Sequence, residues 1–233
     1  MSRDDVADAP AVLGHRLVGD DQLPPWMRPL VANVHEALMP GQLRNLVGLA
    51  PADARRGAVL MLFGEGPVGP DLLLTERSAT MRSHAGQPAF PGGASDPGED
   101  AIAAALREGQ EETGLEPASV LPVALFPDLY LPPSGFLVRP VLGYWREPGE
   151  VRAVDPAETA AVARVPIAHL SDPANRFRVR HPSGFSGPAF AAPGMLVWGF
   201  TAGLLDRLLE FGGWAKPWDQ ERRRPIPNLR TSS

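Results

Sequence analysis

Three glutamates carry the strongest chemical signal in this chain: Glu108, Glu111 and Glu112, inside the stretch GASDPGEDAIAAALREGQEETGL that runs from Gly93 to Leu115. At about 100° per residue on a helix they fall on one side, while Ile102, Ala105, Leu106 and Thr113 point the other way. Like charges so close cost a helix roughly a few tenths of a kcal/mol for each i,i+4 pair. Arg107 can offset one of them, and the surplus calls for a cation. A hard divalent ion, Mg²⁺ or Mn²⁺, is the natural partner, because it prefers carboxylate and water oxygen to nitrogen or sulfur. The chain has no Cys, so nothing argues for zinc. A bare E-x-x-E-E would equally suit a solvated acidic face.

The surrounding elements must hold that helix. Asp96 and Pro97 are expected to open it and Gly114 to cap its end. Upstream, GAVLMLFG and DLLLTERS read as a hairpin turned at EGPVGP, and ATMRSHAGQPAFPGG is the loop that leads to the helix. Downstream, VLPVALFPDLYL and FLVRPVLGYW supply two strands linked by PPSG. AETAAVARVPIAHL holds a strand ending at Val165 and a helical turn after Pro166, and FRVRHPSGFSGPAFAA reads as a second hairpin. LVWGFTAGLLDRLLEFGG is a helix with Trp198, Ala202, Leu205 and Leu209 on one stripe, stopped by Gly212 and Gly213. Near the start, LPPWMRPLVANVHEAL suggests a short helix turning Trp26, Leu30 and Val34 inward, and MPGQLRNLVGLAPADARR a connector. The order of strands and helices predicts an α/β chain, a mixed sheet covered on both faces in an α/β/α sandwich. Residues 1–22 are expected to form a flexible or loosely docked arm, 23–218 a single domain, and 219–233 a flexible tail.

Composition narrows the class. With 233 residues, 44% of them apolar, the chain can build one well-filled domain. A net charge of −5 leaves no basic stripe for nucleic acid. Without Cys there are neither disulfides nor thiol nucleophiles. No apolar run is long enough for a membrane span, the N-terminus lacks the apolar core of a signal peptide, and the C-terminal TSS is no peroxisomal address. The cytoplasm is the default expectation.

Gly93, Glu99, Arg107, Glu108, Glu111, Glu112, Gly114 and Leu115 match the pattern G-x5-E-x7-R-E-U-x-E-E-x-G-U, with U a bulky aliphatic residue. The chain thus resembles the Nudix hydrolases. One position departs: Gly109 stands where an aliphatic residue is usual, and close approach of helix to sheet would explain it. The resemblance implies the Nudix fold and a diphosphate-cleaving enzyme. It gives Glu108, Glu111 and Glu112 as metal ligands and catalytic groups, with the Gly93 carbonyl completing the metal shell. It also implies a structural pairing of Glu99 with Arg107. Glu158, in DPAET, falls where relatives often have a glutamate near the metal, although the glutamate expected three residues later is Ala161. Nudix enzymes often form homodimers, and no residue here decides that.

Immediately upstream, Leu73, Leu74, Thr75, Arg77, Ser78, Arg82, Gly86, Phe90, Pro91, Gly92 and Gly93 follow L-L-T-x-R-S-x3-R-x3-G-x3-F-P-G-G. This resembles the coenzyme A diphosphatase subgroup, with Glu76 and Pro88 as departures where a basic residue and Val are common. Coenzyme A carries a diphosphate and a separate 3′-phosphate, so its site needs cationic donors, and Arg supplies bidentate phosphate contacts. Arg77, Arg82, His84, Gly86 and Phe90 are the substrate-side candidates, Phe90 also reading as a packing residue. The implied products are 3′,5′-ADP and 4′-phosphopantetheine. Other Nudix activities on ADP-ribose, NADH or nucleoside triphosphates are the alternative, and a non-catalytic nucleotide sensor is a more distant one.

Overall fold

The computed structural model describes residues 14–35, 50–81, 86–132, 134–180 and 186–226. Its frame is a large mixed sheet. After a short strand β1 (His15–Arg16) and a five-residue helix α1 (Arg28–Ala32), the chain enters β2 (Arg55–Gly66) and β3 (Gly69–Arg77). These two form the expected hairpin, but the turn is only Pro67–Val68 because Gly66 still pairs with Gly69. Two short strands, β4 (Pro88–Ala89) and β5 (Gly92–Ala94), lead to α2 (Ala101–Thr113). Next come β6 (Val120–Leu125), β7 (Leu129–Leu131), β8 (Phe136–Trp145) and β9 (Thr159–Pro166), then a single turn α3 (Ile167–Leu170). The segment expected as one strand, VLPVALFPDLYL, is therefore two, broken at Phe126–Asp128 so that both halves pair with β8. In the centre, β2 and β8 lie parallel in unbroken register from Arg55↔Phe136 to Gly64↔Trp145.

A second, four-stranded sheet follows: β10 (Arg176–Arg180), β11 (Ser186–Ala192), β12 (Met195–Val197) and, after helix α4 (Gly199–Phe211), β13 (Arg223–Arg224). Alternation along β2 divides the core between the two faces of the main sheet. Ala58, Leu60 and Leu62 pack beneath α2 together with Leu73, Val141 and Trp145. Met61 and Phe63 face the opposite way, into a larger cluster with Leu30 and Val34, Phe190, Val197 and the α4 residues Ala202, Leu205 and Leu209. One face is thus covered by α2, and the other by α4, α1 and the small sheet.

Several boundaries move. Of the expected arm, residues 14–22 are of the docked kind, because β1 pairs with β6. Residues 219–226 are likewise docked, with β13 parallel to β10 and the Arg178 N–H donating to the Arg222 carbonyl at 2.8 Å. Pro29 occupies the first turn of α1, where no N–H is needed. Trp198 leaves the α4 stripe: it is the residue before the helix and packs on the outer face of the small sheet with Phe177 and Val179. Residues 1–13, most of the connector (39–49) and 227–233 lie outside the described residues.

Candidate active site

The site grows from β5 and α2. Asp96 and Pro97 precede the helix rather than open it. They form a turn closed by Glu99 N–H to the Asp96 carbonyl, while Asp100 is the residue whose carboxylate accepts the Ala103 N–H at 2.8 Å. Gly114 ends the helix at φ 71°, a left-handed conformation that favours glycine. Gly109 faces the sheet, where an added Cβ would lie 3.0 Å from Leu60 Cδ2 and 3.2 Å from Leu115 Cδ2. The departure at this position lets the helix approach β2 closely.

That close approach sets the carboxylates. A Cβ on Gly93 would sit 2.4 Å from Glu108 Cδ, so the bare backbone of β5 makes room for the glutamate. The Gly92 N–H donates to Glu112 Oε2 at 3.3 Å. Ser95 N–H bonds to the Arg56 carbonyl and Leu60 N–H to the Pro91 carbonyl, which by antiparallel alternation puts Gly93 and Ala58 in a hydrogen-bonded pair. One lone pair of the Gly93 carbonyl is thereby in the ladder, and the other remains for a ligand.

The three glutamates do not share one exposed face. Glu108 and Glu112 are tucked against β5 with side chains 17% and 12% exposed, whereas Glu111 points outward at 59%. Arg107 ties the group together. Its Nε and Nη2 bond to both oxygens of Glu99 at 3.0 Å, Nη2 also reaches the Ala94 carbonyl, and Nη1 alone serves Glu108 at 2.9 Å and Glu111 at 3.1 Å. These bonds hold the Glu99 carboxyl below its ordinary range. Burial pushes Glu108 upward against the pull of Arg107. Burial also drives Glu112 up to about 7; the charges of Glu108 and Glu158 add to the rise, while Arg77 and the Gly92 N–H oppose it.

Arg77 stands at the end of β3, where the pairing with β9 shifts register, and its Nη1 lies 3.9 Å from Glu112 Oε1. The loop that follows begins with Ser78 N–H on the Glu158 carbonyl at 2.8 Å, which brings the exposed Glu158 to the rim. Gly86 turns at φ 67° and donates its N–H back to the Arg77 carbonyl. Phe90 is 2% exposed and lies in the larger core cluster, in line with its reading as a packing residue rather than a substrate contact. The candidates Arg82 and His84 lie outside the described residues. By strand alternation Glu76 faces the sheet side opposite Leu73 and Arg77, away from the carboxylates. Sequence reasoning missed Thr201 of α4, whose hydroxyl donates to the Pro88 carbonyl and anchors the loop from the far face. No motif flags it.

Among the described residues no three acidic or histidine side chains stand converged as a finished cage. The donor set nevertheless suits a hard divalent cation. It is all oxygen, one carboxylate is buried among negative neighbours, and a single arginine nitrogen occupies the point where Glu108 and Glu111 meet.

The family model of the NUDIX domain matches residues 53–183, more than half of the chain. The chain belongs to the Nudix family. A relative from Cronobacter sakazakii described as an uncharacterized Nudix hydrolase, NudL, is 37% identical over 174 residues, covering 71% of this chain and 87% of its own. The NudL of Escherichia coli K12 matches with the same identity and coverage. Among solved structures, the Nudix hydrolase RenU of M. smegmatis superposes with a TM-score of 0.47 at 20% identity, over 72% of this chain and 91% of its own. This Nudix hydrolase acts on diphosphate bonds, and its family works on small nucleotide substrates, generally with divalent metal ions.

Proposed function

We propose that this Nudix hydrolase cleaves the diphosphate of coenzyme A or its acyl derivatives, giving 3′,5′-ADP and 4′-phosphopantetheine or its acyl form. The observation that carries the reading is the meeting of two sequence motifs in space: Arg77, from the upstream pattern, faces Glu112 of the helix across 3.9 Å. A guanidinium beside the carboxylate cluster supports this reading, because its paired N–H donors suit phosphate oxygens.

Glu108, Glu111, Glu112 and the Gly93 carbonyl would hold Mg²⁺ or Mn²⁺. When bound, the ion supplies charge neutralisation on the diphosphate and acidifies a water for attack at phosphorus. The chain's own part is positioning. Arg107 and Glu99 fix the loop against the helix and orient Glu108 and Glu111. Arg77 orients the phosphates, and Glu158 on the rim is the proposed acceptor of the proton of the attacking water. Attack forms one P–O bond and breaks the bridging P–O bond.

Incubation of the purified protein with coenzyme A and either ion, with products resolved by chromatography, tests the reading. Both products should form, and Glu111→Gln or Glu112→Gln should slow turnover by roughly two orders of magnitude or more while the fold persists. Preferential cleavage of ADP-ribose, NADH or a nucleoside triphosphate would reassign the substrate. Undiminished hydrolysis in both variants would remove the assigned ligands.

A further inference from the structure

A row of arginines on the small sheet takes no part in the site around α2. Arg176, Arg178 and Arg180 alternate along β10 and so share one face, the inner one, where Arg176 lies opposite the core residue Phe190. Arg176 shows what such a position demands when covered. It is 2% exposed, ion-paired with Asp206, and lies 4.6 Å from the ring centre of Trp218 and 5.0 Å from that of Phe190. Arg178 and Arg180 continue the row without such partners.

A third guanidinium joins them from the side. In the parallel pairing of β13 with β10, Arg223 lies beside Arg178, and laterally paired residues project to the same face. Arg178, Arg180 and Arg223 line a groove of about 440 Å³ with Ser186, Gln220 and Glu221. Their present contacts are long: Arg178 to Gln220 Oε1 at 3.5 Å and to the Ser186 carbonyl at 3.3 Å, and Arg223 to the exposed Glu221 at 3.5 Å. Arg180 is exposed, and among the described residues its guanidinium has no hydrogen-bonding or ionic partner, although its backbone pairs with Ser186. Among the described lining residues, three cations on positions spaced by roughly 5–7 Å thus face one carboxylate.

We propose that this groove is a second anion site, which binds a phosphomonoester dianion on a small molecule. Phosphate suits the spacing because guanidinium forks take its oxygens in pairs, and because a dianion matches the charge left once Glu221 is counted. A nucleic acid fits less well, since the groove is short and the chain carries a net charge of −5. The site is separate from the hydrolytic one. The inner face of the small sheet packs with Met61 and Phe63, on the side of the main sheet away from α2.

The test is calorimetric titration of the full chain with inorganic phosphate, in EDTA and at constant ionic strength. Chelation keeps the hydrolytic site out of the measurement, so the outcome is independent of the coenzyme A reading. A saturable site of roughly millimolar affinity is expected for so small a ligand. R180Q, at an exposed position, and the double variant R178Q/R180Q should weaken it by roughly 10-fold or more, with melting curves confirming the fold. E221Q should tighten it, and diphosphate turnover should be unchanged in the double variant. Absence of saturable binding, equal binding of acetate, or wild-type affinity in R178Q/R180Q would overturn the site. A single-stranded oligonucleotide binding more tightly through the same arginines would overturn the ligand class, and loss of turnover in a folded double variant would overturn the separation.

Discussion

Replacing Glu112 by Gln should damage the enzyme and stabilise the ion-free protein at once. The carboxyl is largely buried, and its pKa rises from an ordinary 4.5 to about 7, with burial the main cause. Between those values the unfolded chain has released a proton that the folded chain still holds. Stability contributed by this group is therefore complete below pH 4.5 and is lost as pH rises through about 7. The shift corresponds to a penalty of about 3 kcal/mol above neutrality, and relaxation around the site reduces what a variant recovers to roughly 1–3 kcal/mol. Gln keeps an oxygen for the Gly92 N–H and removes the buried charge. In EDTA at pH 8 the variant should melt several degrees higher, about 3–9 °C for a domain of this size. At pH 5 the difference should shrink toward zero. Adding Mn²⁺ should raise the melting temperature of the wild type and leave the variant unmoved. Equal melting temperatures at pH 8, or a gain that persists at pH 5, would refute the claim that a buried, cation-seeking carboxylate is the source.

Other perturbations separate ion binding from folding. Gly93→Ala puts a methyl 2.4–2.5 Å from the Glu108 carboxylate, so Mn²⁺ binding followed by electron paramagnetic resonance should weaken at least roughly 10-fold while circular dichroism stays native. Gly109→Leu must displace Leu60 and Leu115, and urea unfolding should show a loss of about 1–3 kcal/mol, whereas Gly109→Ala should stay within about 1 kcal/mol because helix propensity offsets the tighter contact. Arg107→Gln strips the bonds to Glu99, Glu108, Glu111 and the Ala94 carbonyl together; turnover should fall and hydrogen exchange in 94–100 should accelerate, with Arg107→Lys restoring less than half of either.

The layers of the fold were legible because its segments are locally self-consistent. Alternating or continuous apolar runs in β2, β3 and β8 read as strands, and Gly114 told where the box helix ends. The missing parts depend on partners far along the chain. Nothing in ERRRPIPNLRTSS announces that Arg223–Arg224 would find the edge of β10, and a basic, proline-containing segment ordinarily stays solvated. The helix start is ambiguous by residue type: Asp96-Pro97 and Asp100 both carry opening signals, and only the geometry of the Asp96–Glu99 turn decides between them. Within the site, the angular spacing grouped Glu108, Glu111 and Glu112, yet could not say that β5 would rise beside the helix and bury two of them. Gly92 and Gly93 carried that information, because a strand so close to β2 and α2 tolerates no side chain.

The one nitrogen of Arg107 that serves both Glu108 and Glu111 has a practical consequence. It acts as a built-in counter-ion, holding two repelling groups in register when the medium offers nothing better. A protein equipped this way should survive chelation without unravelling and regain its activity on simple reloading, so that exchange of one divalent species for another becomes a reversible operation on a frame already assembled.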